Sequence, residues 1–275
     1  MDDGLDLELE VADRNDIPFY SITMEYIVDG YFEKAFEFLP EGKGQLLLYR
    51  GWMLKETEYE HLFYELEMRG YYLVTNPYQY AQAHYLPNYY PLVKEFCAPT
   101  VWMWGTDLED AWKISKELGE PPYLLKDHVK SAKEDWQNSC FIPRDVDRES
   151  FNQICENFID YQGERFERGL VFRKVLPLKP LGYRYMDQPL FEEYRLFFWD
   201  KKLITAEAYY EIASKESDFS EFNFLGDLIE SPFFTADIAR LTNDEWRIVE
   251  LGDGGVSTLP PLLDPIRLYR IIFEI

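Results

Sequence analysis

The chain has 275 residues, 47% apolar and 17% aromatic, and a formal net charge of −23 from 51 acidic and 28 basic side chains. That apolar and aromatic content excludes a disordered protein, and the length suits one large domain or two moderate ones. The charge argues against nucleic acid and anionic membrane surfaces, which are held mainly through Lys and Arg on phosphates; it would attract a basic peptide or protein.

The three cysteines, Cys97, Cys140 and Cys155, have no metal-binding spacing and leave one unpaired in any disulfide scheme, which fits a reduced setting. The opening Met1-Asp2-Asp3-Gly4-Leu5-Asp6 is acidic where a signal peptide is basic and then apolar. No apolar run has the length to cross a bilayer. A cytoplasmic protein is expected.

Taken in order, residues 5–15 suit a short amphipathic helix. Residues 17–22 read as a strand with Pro18 at its start, 31–39 as a helix, and 45–50 as a buried strand leading into Gly51-Trp52-Met53. A helix capped by Thr57 runs to Gly70, and residues 71–75 form the next strand. Strands alternating with helices predict βαβ units and a mostly parallel sheet, although the strand that should open the first unit is missing. Residues 76–99, rich in Tyr, Pro and Asn, predict irregular or short helical structure. Residues 101–104 read as a strand, and 107–118 as a helix stopped by Gly119 and Pro121-Pro122.

The second half opens with an apolar strand, 123–127, that carries Lys126 near its end, followed by a polar loop with Lys130. A helix over 150–161 leads to a strand over 170–176 that contains Arg173 and Lys174 and stops at Pro177. Residues 192–199 and 203–210 pair across an Asp200-Lys201-Lys202 turn, and 233–239 pair with 246–255 around Thr242-Asn243-Asp244-Glu245. Asp237 and Glu250 lie in apolar, β-branched runs, where an uncompensated carboxylate leaves water at large cost. With Asp253 they make a hard, oxygen-only set of the kind that suits Mg²⁺ carried by a nucleotide phosphate. The alternative is ordinary edge-strand acids on an acidic protein. Arg195, in the middle of an apolar strand, needs a planar anionic partner: a phosphate, or Glu193 two residues away on the same face.

This order of elements resembles the ATP-grasp superfamily, and within it the clade named for one arginine and two lysines. Leu48-Tyr49-Arg50-Gly51-Trp52-Met53-Leu54 and Leu86-Pro87-Asn88-Tyr89-Tyr90-Pro91 resemble that clade's pre-grasp domain. Leu170-Val171-Phe172-Arg173-Lys174 and Glu193-Tyr194-Arg195-Leu196-Phe197-Phe198 are similar, more distantly, to the eukaryotic ATP-grasp protein that assembles a translation initiation factor. The resemblance implies an α/β fold, with a pre-grasp βαβ-type domain over 1–104 and a two-lobed ATP-grasp domain over 105–275.

It also implies ATP and Mg²⁺. Lys126 and Lys130 would hold phosphates. Phe172, Arg173, Lys174 and Val175 would form the hinge whose backbone reads adenine, with Arg173 and Lys174 either facing phosphate or pairing with Glu193. Arg195 would meet the transferred phosphoryl group, catalytic together with Lys130, and Asp237, Glu250 and Asp253 would be the metal ligands. The superfamily often ends its last strand in Glu-x-Asn; here Gly252 takes the Asn position, and Asp253 either replaces that ligand or caps Gly254-Gly255. The implied activity is a carboxylate–amine ligase working through an acyl phosphate, with a carboxylate and an amine as substrates. The initiation-factor relative implies the alternative, a non-catalytic ATP-binding chaperone or assembly factor that holds a protein partner.

Overall fold

The computed structural model describes residues 5–132, 135–183, 189–210 and 218–274. Its first elements are α1 (Leu5–Arg14), α2 (Met24–Val28), α3 (Phe32–Ala35), β1 (Gln45–Leu47), α4 (Glu56–Met68), β2 (Tyr71–Leu73), α5 (Pro77–His84) and α6 (Leu86–Val93). Then come β3 (Thr100–Trp102), α7 (Leu108–Ser115), β4 (Tyr123–Asp127), β5 (Phe141–Ile142), α8 (Arg148–Gln162) and β6 (Leu170–Lys174). The remainder is β7 (Pro180–Tyr183), β8 (Pro189–Phe191), β9 (Glu193–Trp199), β10 (Lys202–Ala208), α9 (Leu225–Leu228), β11 (Phe233–Arg240), β12 (Trp246–Asp253) and α10 (Pro265–Ile272). Among the described residues no helix is long and apolar enough to cross a membrane.

Contacts gather these elements into two compact units. One comprises Met1–His84, Pro180–Ile238 and Glu250–Ile275, the other Tyr85–Lys179 and Ala239–Val249. These units are drawn differently from the expected 1–104 and 105–275, because β3 lies along β6 in one sheet, Val101 opposite Phe172.

In the first unit, α4 buries Tyr59, Leu62 and Leu66, spaced three and four apart as one face of a helix requires. They pack in a core with Ile27, Tyr71 and Tyr80. The helix begins earlier than expected: Lys55, not Thr57, occupies the N-cap, and the Glu58 carboxylate accepts the Lys55 N–H at 2.7 Å. Residues 17–22 form no strand, and α3 is shorter than the helix expected over 31–39. A second layer of this unit is the sheet ordered β10-β9-β11-β12, with Phe197 and Phe233 packed on Leu268 and Ile272 of α10. The β9–β10 hairpin turns through Asp200 and Lys201, both with positive φ (44° and 67°), as a two-residue type I′ turn demands.

The second unit holds the sheet β3-β6-β4-β5, every pair antiparallel. The helix α8 lays Phe151, Cys155 and Phe158 into a core with Leu125 and Phe172. Asp107 and Asp147 cap α7 and α8, accepting the N–H of Asp110 at 2.9 Å and of Ser150 at 2.8 Å. Gly169 is obligatory here, since a Cβ would lie 1.9 Å from the Met103 carbonyl oxygen. Parallel pairing is found between β1 and β2, with isolated parallel bridges at Cys97–Ile248 and Gly105–Gly169. An intervening helix permits a parallel crossover without imposing one, and β4 and β6 run antiparallel with α8 between them in sequence.

Candidate functional site

The four strands of the first unit's sheet carry a row of charges on one face. Glu207 on β10 stands directly opposite Arg195 on β9, which places both on the same face. Arg195 grips Asp237 on β11 with a side-on fork, Nε to Oδ1 and Nη2 to Oδ2, both at 2.8 Å. A Cβ added at Gly252 would meet Thr235 Oγ1 at 3.2 Å, so these two share a face. Two residues further along each strand, the alternation of strand side chains brings Asp237 and Glu250 to that face as well.

Arg195 is thus partnered by Asp237, not by Glu193. Its Nη1 also donates to the Thr258 carbonyl at 2.7 Å. Burial opposes the guanidinium charge, but Asp237 at contact more than compensates and holds the pKa above the ordinary arginine value. The hydroxyl of Tyr209, one residue beyond β10, donates to Asp237 Oδ2 at 2.7 Å, and its ring lies under the guanidinium at 5.0 Å. Burial and the neighbouring carboxylate raise the Tyr209 pKa, so the phenol stays a donor. Tyr209 and Thr258 carry no mark in the sequence; their hydrogen bonds in the folded chain reveal them.

Asp253 does not join Asp237 and Glu250. It lies three residues beyond Glu250, an odd spacing that turns it to the other face of β12. There it is 1% exposed, and its Oδ1 accepts the Gly255 N–H at 2.8 Å. Its Oδ2 has no hydrogen-bond partner among the described residues. The cap on Gly254-Gly255 is therefore the arrangement found, and no group of three or more His, Cys, Asp or Glu side chains among the described residues is placed to hold a metal. The vacated Asn position is closed by a hydroxyl pair, Thr235 Oγ1 to Ser257 Oγ at 2.8 Å.

Burial pushes the Asp253 carboxyl from its usual 3.8 up to about 7, against the backbone N–H groups of Gly255 and Val256 and the Arg50 charge, which lower it. A folded-state pKa above the unfolded one means that the native state binds the extra proton. The stability this proton brings is complete below about pH 4 and is lost as pH rises through about 7. Asp253→Asn is expected to flatten that part of the pH–stability curve, measured by urea unfolding at pH 5 and pH 8. An unchanged slope would contradict the assignment.

In the second unit, Lys126 is buried in β4 and stands opposite Ser131 across a tight turn closed by Asp127 N–H to the Lys130 carbonyl at 2.9 Å. Asp127 builds that turn. Its Oδ1 accepts the N–H of Val129 at 2.7 Å and that of Lys130, and its Oδ2 accepts the N–H of Glu167 at 3.1 Å. Burial raises the Asp127 pKa, and these three donors pull it back. Lys130 itself is exposed at the turn's end. A sequence signal for Asp127 exists, an aspartate followed by residues whose N–H groups it can accept as an Asx-turn.

The expected hinge is only partly free to read a base. Phe172 and Arg173 lie within β6, a central strand with β3 on one side and β4 on the other, so the two ladders use their backbone groups. The Lys174 N–H donates to the Pro99 carbonyl at 2.9 Å, and its ammonium reaches the Glu120 carbonyl. Arg173 turns to Thr100 Oγ1 at 3.2 Å and to the Val249 carbonyl, with Nη2 left without a hydrogen-bond partner among the described residues.

The donor chemistry accommodates the implied metal with two ligands in place of three. Asp237 and Glu250 are co-facial hard oxygen donors, and Mg²⁺ characteristically takes one or two carboxylates with nucleotide phosphates completing its shell.

Residues 117–272, more than half of the chain, match the model of an ATP-grasp domain family, the third of the clade named for one arginine and two lysines. No curated protein matches the chain. Among solved structures it is similar to a RimK domain ATP-grasp protein from Sphaerobacter thermophilus, 13% identical with a TM-score of 0.50, covering 76% of this chain and 71% of that one. It is also similar to the ATP-grasp ligase PsnB in complex with precursor peptide PsnA2 and AMPPNP, at 15% identity and TM-score 0.47, covering 78% and 67%. A third is the ADP complex of PurK, N5-carboxyaminoimidazole ribonucleotide synthetase, at 11% and 0.49, covering 72% and 52%. The chain spans about two thirds of the length of the PsnB chains it matches. With the family matched over most of the second half, this chain belongs to the ATP-grasp superfamily, in the third family of the one-arginine, two-lysine clade.

Proposed function

We propose that the protein is a Mg²⁺- and ATP-dependent carboxylate–amine ligase, with a pre-grasp domain over 1–104 and an ATP-grasp domain over 105–275. The observation that carries this reading is the co-facial pair Asp237 and Glu250 beside a buried arginine, inside the segment that matches the family. In the reaction, a substrate carboxylate oxygen bonds to the γ-phosphorus of ATP as the bond to the ADP oxygen breaks. An amine nitrogen then bonds to the acyl carbon of the acyl phosphate, inorganic phosphate leaves, and the amine proton goes to solvent.

Such chemistry asks for positioning and charge neutralisation more than for acids and bases. Lys126 and Lys130 hold phosphate oxygens as point charges. The Lys174 carbonyl and Val175 read the base. A guanidinium has five N–H donors, and Arg195 makes four hydrogen bonds with them, Nε and Nη2 to Asp237 and Nη1 to the carbonyl and the hydroxyl of Thr258. The second N–H of Nη2 would meet a phosphoryl oxygen. Asp237 and Glu250 would hold Mg²⁺, which supplies neutralisation of the phosphate oxygens when bound. The acidic surface favours a basic peptide or protein as the amine substrate. Three buried free cysteines fit a reducing compartment, the cytoplasm.

Thermal unfolding with and without MgATP tests this reading. Ligand at a hundred times its dissociation constant adds about 2.7 kcal/mol, a rise of a few degrees at this size. The rise is expected in the wild type and not in Glu250→Gln, and ADP release on adding acid–amine pairs then identifies the substrates. No rise in the wild type sinks the proposal; a rise without ADP release for any pair would leave an ATP-binding assembly factor.

A further inference from the structure

The hydrogen bonds around Asp237 restrict how it can meet a cation. A carboxylate offers about four lone-pair positions, two on each oxygen. Arg195 takes one on each oxygen through its fork, and Tyr209 takes a second on Oδ2. Among the described residues this leaves a single position, on Oδ1. A side-on fork covers the same edge of the carboxylate that a metal uses when it chelates with both oxygens. Asp237 is therefore held as a one-oxygen ligand for as long as Arg195 stays in place, and its shared burial with Arg195 keeps that pair closed.

We propose that Arg195 is a cation-selectivity residue: by occupying the chelating edge of Asp237 it favours Mg²⁺ and disfavours Ca²⁺. This rests on the proposed Mg²⁺-nucleotide site. The chemistry separates the two ions cleanly. Mg²⁺ demands near-octahedral geometry at short distances and is satisfied by single oxygens from one or two carboxylates. Ca²⁺ takes six to eight oxygens at longer distances and regularly fills its larger shell with bidentate carboxylates. A site whose principal carboxylate cannot chelate withholds an oxygen that Ca²⁺ uses and Mg²⁺ does not. Tyr209 has a separate part: its hydroxyl sets which oxygen remains open, without touching the chelating edge.

The test is calorimetric titration of ADP into the full chain in the presence of MgCl₂ or CaCl₂, for the wild type, Arg195→Lys and Tyr209→Phe. Lysine keeps the charge beside Asp237 but has no planar fork. The wild type is expected to bind ADP more tightly with Mg²⁺ than with Ca²⁺. In Arg195→Lys that preference should fall by about tenfold, the low end for loss of a residue that orients a metal ligand. Tyr209→Phe should keep the preference, because the fork survives. If Arg195→Lys retains the wild-type preference, or if the wild type shows none, the inference is overturned while the nucleotide site stands. Binding with neither cation in the wild type overturns it together with the proposed function. Should Arg195→Lys not fold, the wild type still decides: MnCl₂, another octahedral ion, must replace MgCl₂ with comparable affinity while CaCl₂ does not, and equal affinity for all three overturns the inference.

Discussion

Replacing Asp237 by alanine is expected to cost about 3–5 kcal/mol of folding stability, the range for removing one partner of a buried ion pair. Both side chains are nearly inaccessible, at 13% for Arg195 and 10% for Asp237, so the orphaned guanidinium could not recover its hydration. Tyr209 would lose its acceptor in the same step. Urea unfolding measures the effect, and the double variant Asp237→Ala with Arg195→Met should recover most of it, because no buried charge is then left alone. A loss below about 1 kcal/mol in the single variant would mean that the pair is solvated like a surface salt bridge. This loss bears on tests of the proposed metal site. Loss of nucleotide binding in an Asp237 variant would confound ligation with unfolding.

A comparable loss, again about 3–5 kcal/mol, is expected for Glu8→Ala. Glu8 of α1 receives Arg50 Nε at 2.8 Å and Nη2 at 2.6 Å, and the Tyr269 hydroxyl also donates to it. Arg50 also donates to the Gly254 carbonyl. Burial works against the Arg50 charge, and Glu8 outweighs it, leaving the pKa raised. Without Glu8 the arginine and the tyrosine lose one shared acceptor, and α1 keeps the packing of Val11 and Ala12 with Ile17 and Tyr269, flanked by Leu48 and Ile266. Hydrogen exchange should show residues 5–14 opening in the variant well below the global unfolding free energy. Unchanged protection over α1 would refute the anchoring role, and Glu8→Gln should give an intermediate loss.

What the sequence made legible, and what it did not, follows from the range over which each interaction acts. The β9–β10 hairpin is local: its turn residues adjoin its strands, and the expected spans differ from the observed ones by a residue or two. The need of Arg195 for a planar anion was also legible, but the choice of partner was not. Residues two apart on one strand are separated by about 6.6 Å along it, whereas neighbouring strands lie about 4.8 Å apart. Asp237 therefore reaches the fork from β11, and no rule of sequence spacing says that β11 adjoins β9. The placing of Asp253 opposite Glu250 was available from strand alternation alone, since their spacing is odd. The Glu8–Arg50–Tyr269 cluster was not, because its members are separated by 42 and 261 positions, and the word that holds Arg50, residues 48–54, names no partner for it.

Those separations bear on how the chain is made. The first unit is assembled from residues near both ends of the sequence, with Arg50 on the Gly254 carbonyl and Gly51 N–H on the Gly255 carbonyl at 3.1 Å. During synthesis the first 84 residues emerge long before their partners around 250–270 exist. At about 5–20 residues per second they spend on the order of ten seconds or more with Arg50 and Glu8 lacking those partners. The second unit, drawn mostly from 85–179, has its own core and is free to form first. Closing the first unit then means joining segments roughly 200 positions apart, the kind of non-local step that slows folding and leaves an early segment to chaperones in the interval.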